Sequence, residues 1–160
     1  MKIKTILILG MLFISASLSA QDTPAKFKET AENVYSTFNK GNLEALSNYF
    51  DVSYNEHNLL PGSTKTGVEG LREAITAYRT AFPDINFSIV DWTYDGKSKG
   101  AILTRLTGTN TGSFMGMPPT NKKIDIMGVD YVTLNSEGKV IEHWGFEEDM
   151  KMMQQLGMAK

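Results

Sequence analysis

Two histidines, His57 and His143, are the only side chains of the 160-residue chain whose ordinary pKa lies near neutrality. That makes them the first candidates for proton transfer. His57 ends a Y-x-x-H segment, Tyr54–His57, and His143 sits in E-H-W, Glu142–Trp144. On a strand, alternation sends His143 and Trp144 to opposite faces, so at most one of them faces a pocket. Arg105 and Asp130 are charges inside otherwise strand-like segments. A bare charge on an apolar face is costly, so each is either solvated or paired inside. Glu147, Glu148 and Asp149 form an acidic run that reads as the solvated start of a helix, where acids offset the dipole.

What is missing narrows the chemistry. The chain has no Cys, which removes thiol nucleophiles, thiolate metal sites and disulfides. No G-x-S-x-G, H-E-x-x-H or phosphate-binding glycine loop occurs. Two isolated histidines without a third ligand at a recognisable spacing predict no metal, and nothing in the sequence asks for a cofactor. No basic stripe is present, so nucleic acid is not an expected partner. Acid–base chemistry on a small molecule, or binding without catalysis, remains.

These residues need a scaffold. Lys2 and Lys4 precede an apolar run, Ile6–Ile14, and then small residues to Ala20. That order predicts a signal peptide over residues 1–20 and a secreted or periplasmic protein. The run is short of the ~20 residues that span a bilayer, so no membrane association is expected after cleavage. Residues 21–160 then form one domain, in which 14 basic residues stand against 18 acidic ones. Thr23-Pro24 starts a helix carrying Phe27, Ala31, Val34, Tyr35 and Phe38 on one face. Gly41 stops it, and a shorter helix with Leu43, Leu46 and Tyr49–Phe50 follows. YNEHN, Tyr54–Asn58, is short and polar. A third helix buries Val68, Leu71, Ile75, Tyr78 and Phe82, and Pro83 ends it. The period then changes to two over 86–94, 100–112, 123–135 and 139–146, with turn-like segments between. Three helices followed by a four-strand meander predict an α+β fold with helices on one face of a sheet. Met150–Leu156 predicts a short terminal helix.

Three segments carry a resemblance to a known family: Gly67–Phe87, Gly108–Ile124 with its G-x-F-x-G-x-P-P-T core, and Gly138–Gly157. Their order and spacing resemble the SnoaL-like polyketide cyclase (ester cyclase) family, within the nuclear transport factor 2-like superfamily. The resemblance implies a cone: helices over a strongly curved, mostly antiparallel sheet that encloses one apolar pocket. It implies His57, His143 and Asp149 as catalytic candidates. Substrate contacts would come from Arg105, which falls in a shortened R-x-T-x-x-G-T pattern, and from Asp130, Tyr54, Trp144, Phe114 and Met117. It also implies cofactor-free aldol-type ring closure on an apolar carbonyl compound, and a homodimer formed through the sheet, with Trp92, Tyr94 and Trp144 as the apolar residues on its strands. In such cyclases an acid stands two residues after the histidine of the last strand. That position here is Gly145, so Asp149, Glu56, Asp130 or a histidine has to act in its place. The other reading is a periplasmic binding module for a small apolar ligand.

Overall fold

The computed structural model describes residues 24–159. The predicted signal peptide, residues 1–20, lies outside them. No helix among the described residues is long and apolar enough to cross a membrane. Helix α1, Pro24–Lys40, opens on a proline, whose missing N–H costs nothing in a first turn. Its buried face carries Phe27, Ala31, Val34, Tyr35 and Phe38, and Gly41 stops it at a positive φ of 71°. A 3-10 turn, Leu43–Asn48, follows and buries Leu46 completely. Helix α2, Gly67–Ala81, buries Leu71, Ile75 and Tyr78.

Five strands form one sheet: β1 (Phe50–Glu56), β2 (Asn86–Tyr94), β3 (Lys99–Thr109), β4 (Lys123–Leu134) and β5 (Val140–Glu147). Their order is β1-β5-β4-β3-β2, and β1 runs parallel to β5 while the other neighbours are antiparallel. Helix α3, Asp149–Leu156, follows β5 and buries Met152 and Leu156. The architecture is the expected α+β cone, an open mixed sheet under helices, with one strand more than the meander predicted from sequence.

The extra strand corrects the reading of residues 49–58. Phe50 and Tyr54 are buried, but the pairing of β1 with β5 shifts between Phe50 and Asn55. That irregularity interrupts the period of two by which a strand is recognised in sequence. A parallel edge strand also needs a long crossover to reach its partner, so no hairpin turn announces it.

The inner sheet face and the helices close around a cavity of about 510 Å³. Its wall is mostly apolar, with Phe27, Val34, Leu71, Ile75, Leu134 and Val140 among the lining side chains. Trp92 and Tyr94 belong to this interior side, where both rings pack on Phe27. They are therefore not part of an outer sheet surface.

Candidate active site

Four elements bring polar groups to the cavity. Along β5 the alternation turns His143, Gly145 and Glu147 inward, and β4 contributes Asp130 from the adjoining inner face. Strand β1 ends in Glu56, and α1 supplies the Tyr35 hydroxyl. His143 stands between two carboxylates: Nδ1 is 2.6 Å from Glu56 Oε2 and Nε2 is 2.8 Å from Asp130 Oδ1. Tyrosines hold both acids from behind. Tyr54 donates to Glu56 Oε2 and Tyr35 donates to Asp130 Oδ2, each at 2.6 Å. The result is one line of five side chains, Tyr54–Glu56–His143–Asp130–Tyr35.

The electrostatics follow from this geometry. Burial disfavours a charged His143, but the hydrogen bonds to Asp130 and Glu56 and their negative charges outweigh it and hold the ring at about 10. An imidazole can donate from both nitrogens only when protonated, so His143 is an imidazolium at neutral pH. Burial alone would raise Glu56. The hydrogen bond and charge of His143, the Tyr54 hydroxyl and the Asn58 N–H together hold it below the usual carboxylate range. The Tyr35 and Tyr54 phenols are raised, first by burial and then by the neighbouring carboxylates, so both remain donors. Glu147 behaves differently. Solvent reaches it at the cavity mouth, yet enough protein surrounds its carboxyl to push it up to about 7, with the charges of Asp130 and Asp149 adding to that effect. The His143 nitrogens each face a carboxylate instead of converging on a common point. No group of three or more side chains among the described residues is arranged to hold a metal ion.

Residues 28–156 match the family of SnoaL-like polyketide cyclases. The chain belongs to the SnoaL-like polyketide cyclase family. Solved structures share its shape. TsrD from Streptomyces laurentii superposes with a TM-score of 0.77 at 20% identity, over 85% of this chain and 98% of that one. A putative polyketide cyclase from Bacillus cereus gives 0.70 at 26% identity, over 84% and 83%. IdmH, a putative polyketide cyclase from Streptomyces antibioticus, gives 0.70 at 25%, over 82% and 98%. No curated protein matches the chain in sequence.

Within this SnoaL-like fold the candidates named from sequence separate into two groups. His143, Asp130, Tyr54 and Phe114 line the cavity, and Asp149 lies at its mouth. His57 does not line it. It follows β1 on the outer side, where its ring stacks on Trp144 with centroids 3.9 Å apart and planes 4° apart. Its position one residue past Glu56 turns it away, and Trp144 faces outward with it. Arg105 is also outside, exposed and paired with Asp125 through both guanidinium branches, Nε to Oδ1 at 2.7 Å. This exposed pair satisfies Arg105 where it stands. Met117 closes a small backbone bridge with Phe114 and does not line the cavity, whereas Met115, Met152 and Met153 do.

The structure also explains Gly145. It pairs across the strands with Asp130, and a Cβ built on it would lie 3.0 Å from His143 Cε1 and 3.5 Å from Asp130 Oδ1. The His143 ring would therefore have to give way to a side chain at 145, while Asp130, on the neighbouring strand, would be in ordinary contact with it. Two residues of the site were not anticipated. Tyr35 was read only as core, and no sequence signal distinguishes it from Phe38. Glu147 belongs by composition to a solvated acidic run, whereas stepping by two from His143 turns it inward.

Proposed function

We propose that the protein carries out cofactor-free proton transfer on a small apolar carbonyl compound, as a cyclase or isomerase does. The observation that carries this is the ion line at the edge of an apolar cavity. Asp130 is held by His143 and Tyr35, with a carboxylate beside a space that suits a hydrophobic molecule. A carboxylate fixed in orientation and partly removed from water is a suitable base for a proton α to a carbonyl. His143, as an imidazolium, is a positioning residue here and not the base. A thermal-shift screen of small apolar carbonyl compounds, followed by turnover assays, tests the reading. Replacing Asp130 with Asn should lower turnover by ~10²–10⁴-fold while leaving binding nearly intact. Turnover unchanged in D130N would overturn it.

One observation favours the second reading, a small-ligand binding module. Both nitrogens of His143 are already engaged, and no buried side-chain polar atom among the described residues lacks a partner. A network satisfied in this way also suits a purely structural role. Hits that bind without being consumed would select this reading.

Two further expectations join the proposal. Export rests on the order of charged, apolar and small residues in 1–20, and the intact mass of the exported form checks it. A homodimer through the outer sheet face rests on exposed Val129, Tyr131 and Phe146 around Trp144. Sedimentation as a monomer at micromolar concentration would remove it.

A further inference from the structure

Proton abstraction leaves an oxyanion, and nothing described so far returns a proton to it. The adjoining inner faces of β4 and β5 hold two acids in a crossed arrangement. Asp130 pairs with Gly145, and Glu147 pairs with Gly128. Both glycines sit where a Cβ would crowd the site. At Gly145 it would press on His143 and touch Asp130, and at Gly128 it would lie 3.3 Å from Glu147 Cγ and 3.1 Å from Thr104 Oγ1. Each acid thus lies against a strand neighbour that has no side chain.

We propose that Glu147 is the second proton-transfer group of the site, the acid that protonates the oxyanion formed after Asp130 has removed the substrate's α proton. This rests on the acid–base reading above. The step balances. The α C–H bond breaks and its proton goes to Asp130. In ring closure, the resulting enolate carbon forms a C–C bond to a second carbonyl carbon. The π pair of that carbonyl moves to its oxygen, which takes the carboxyl proton of Glu147. Asp130 is left neutral and Glu147 ionised, and exchange with water at the mouth restores both.

Three observations support this role for Glu147. First, it lines the cavity, while its neighbour Glu148 is turned outward to the Met127 N–H and Lys151. Second, its carboxyl is held by no hydrogen bond among the described residues, unlike Glu56 and Asp130, so it is free to reach a ligand atom. Third, burial of its carboxyl, then the charges of Asp130 on β4, Asp149 on α3 and Glu56 on β1, push it up to about 7 against the opposing charge of His143, so part of it is protonated at neutral pH. The Tyr35 and Tyr78 phenols on α1 and α2 also face it and stay neutral there. Asp130 held in hydrogen bonds and Glu147 left unbonded and raised are suited to serve one as base and the other as acid.

The test uses 2-tetralone in D2O as probe, with α-hydrogen exchange followed by NMR across pH 5–9 for the wild type, E147Q, E147D and D130N. Exchange by the wild type should fall as pH rises through about 7, where Glu147 loses its proton. E147Q should lose that limb and be slower by ~10²-fold at pH 6, the low end for an acid–base group. E147D should retain a limb, and D130N should exchange no faster than buffer. An E147Q profile identical to the wild type would overturn the role of Glu147 while leaving Asp130 as base. Absence of exchange by the wild type would overturn the acid–base reading and this inference with it. Carboxyl 13C titration, assigned by difference against E147Q, gives a readout without turnover. A Glu147 midpoint near the ordinary 4.5 would overturn the proposal.

Discussion

Opposite faces of one sheet carry charges under opposite conditions. On the outer face Arg105 and Asp125 form a two-branched pair, with about half of each side chain exposed to water at 53% and 50%. On the inner face His143 lies between Glu56 and Asp130, with side chains only 19%, 7% and 19% exposed, respectively. The outer pair has better fork geometry, yet water already solvates each partner well, so pairing adds little. The inner set has lost much of that solvation, so each member depends on the others. Ion-pair geometry therefore does not identify the site; desolvation does. The two histidines repeat the contrast, one held by charges and the other by an indole ring.

The largest effect that would test this contrast is the loss of the inner cation. H143Q leaves two carboxylates facing each other without compensation and should cost ~3–5 kcal/mol at pH 7 by urea unfolding. The pH dependence carries its own sign. His143 is raised from 6.5 to about 10, so its contribution is fully present below about 6.5 and is lost as pH rises through about 10. Glu147, raised from 4.5 to about 7, acts in the same direction at lower pH. The wild type should therefore lose stability towards alkali, and H143Q should lose less over 6.5–10. A parallel decline in both would break the assignment. Next in size, Y35F removes a donor to a charged acceptor and should cost ~1.5–3 kcal/mol. G145A should follow at ~1–3 kcal/mol, because the added methyl overpacks the His143 ring. Its ligand affinity should fall as well, which a titration would show. The smallest changes belong outside. H57Q should cost about 0.5–1.5 kcal/mol through the lost stack on Trp144 and leave turnover unchanged. R105Q should leave the urea midpoint where it was.

Much of the scaffold was legible in the chain. The face of α1, the end of α2 before Pro83 and the extents of β2 to β5 follow from period and turn residues, and the structure moves their ends by few residues. Strand β1 was not legible, because its pairing is parallel, distant and irregular. The site was legible by half. Alternation correctly opposed His143 to Trp144 but could not say which faced the cavity. His57 and Arg105 stand out by residue type and by the family patterns they fall in, and neither reports on which side of a sheet a residue lies. The partnership of Glu56, His143 and Asp130 depends on which strands are neighbours, and a local pattern does not contain that information.

The parallel pairing of β1 with β5 also sets an order in time. Strands β2 to β5 join partners close in sequence, whereas Glu56 and His143 are 87 residues apart and Tyr35 and Asp130 are 95 apart. Long closures are slower than local ones, so the meander can assemble before α1 and β1 dock on it. Until then Asp130 and His143 are wet and behave as ordinary side chains. In a W92F background, Trp144 fluorescence should change with that docking, when His57 arrives on its ring, and it should lag the formation of strand structure. The charged line along the cavity is then assembled in the last step of folding, when the first third of the domain meets the last.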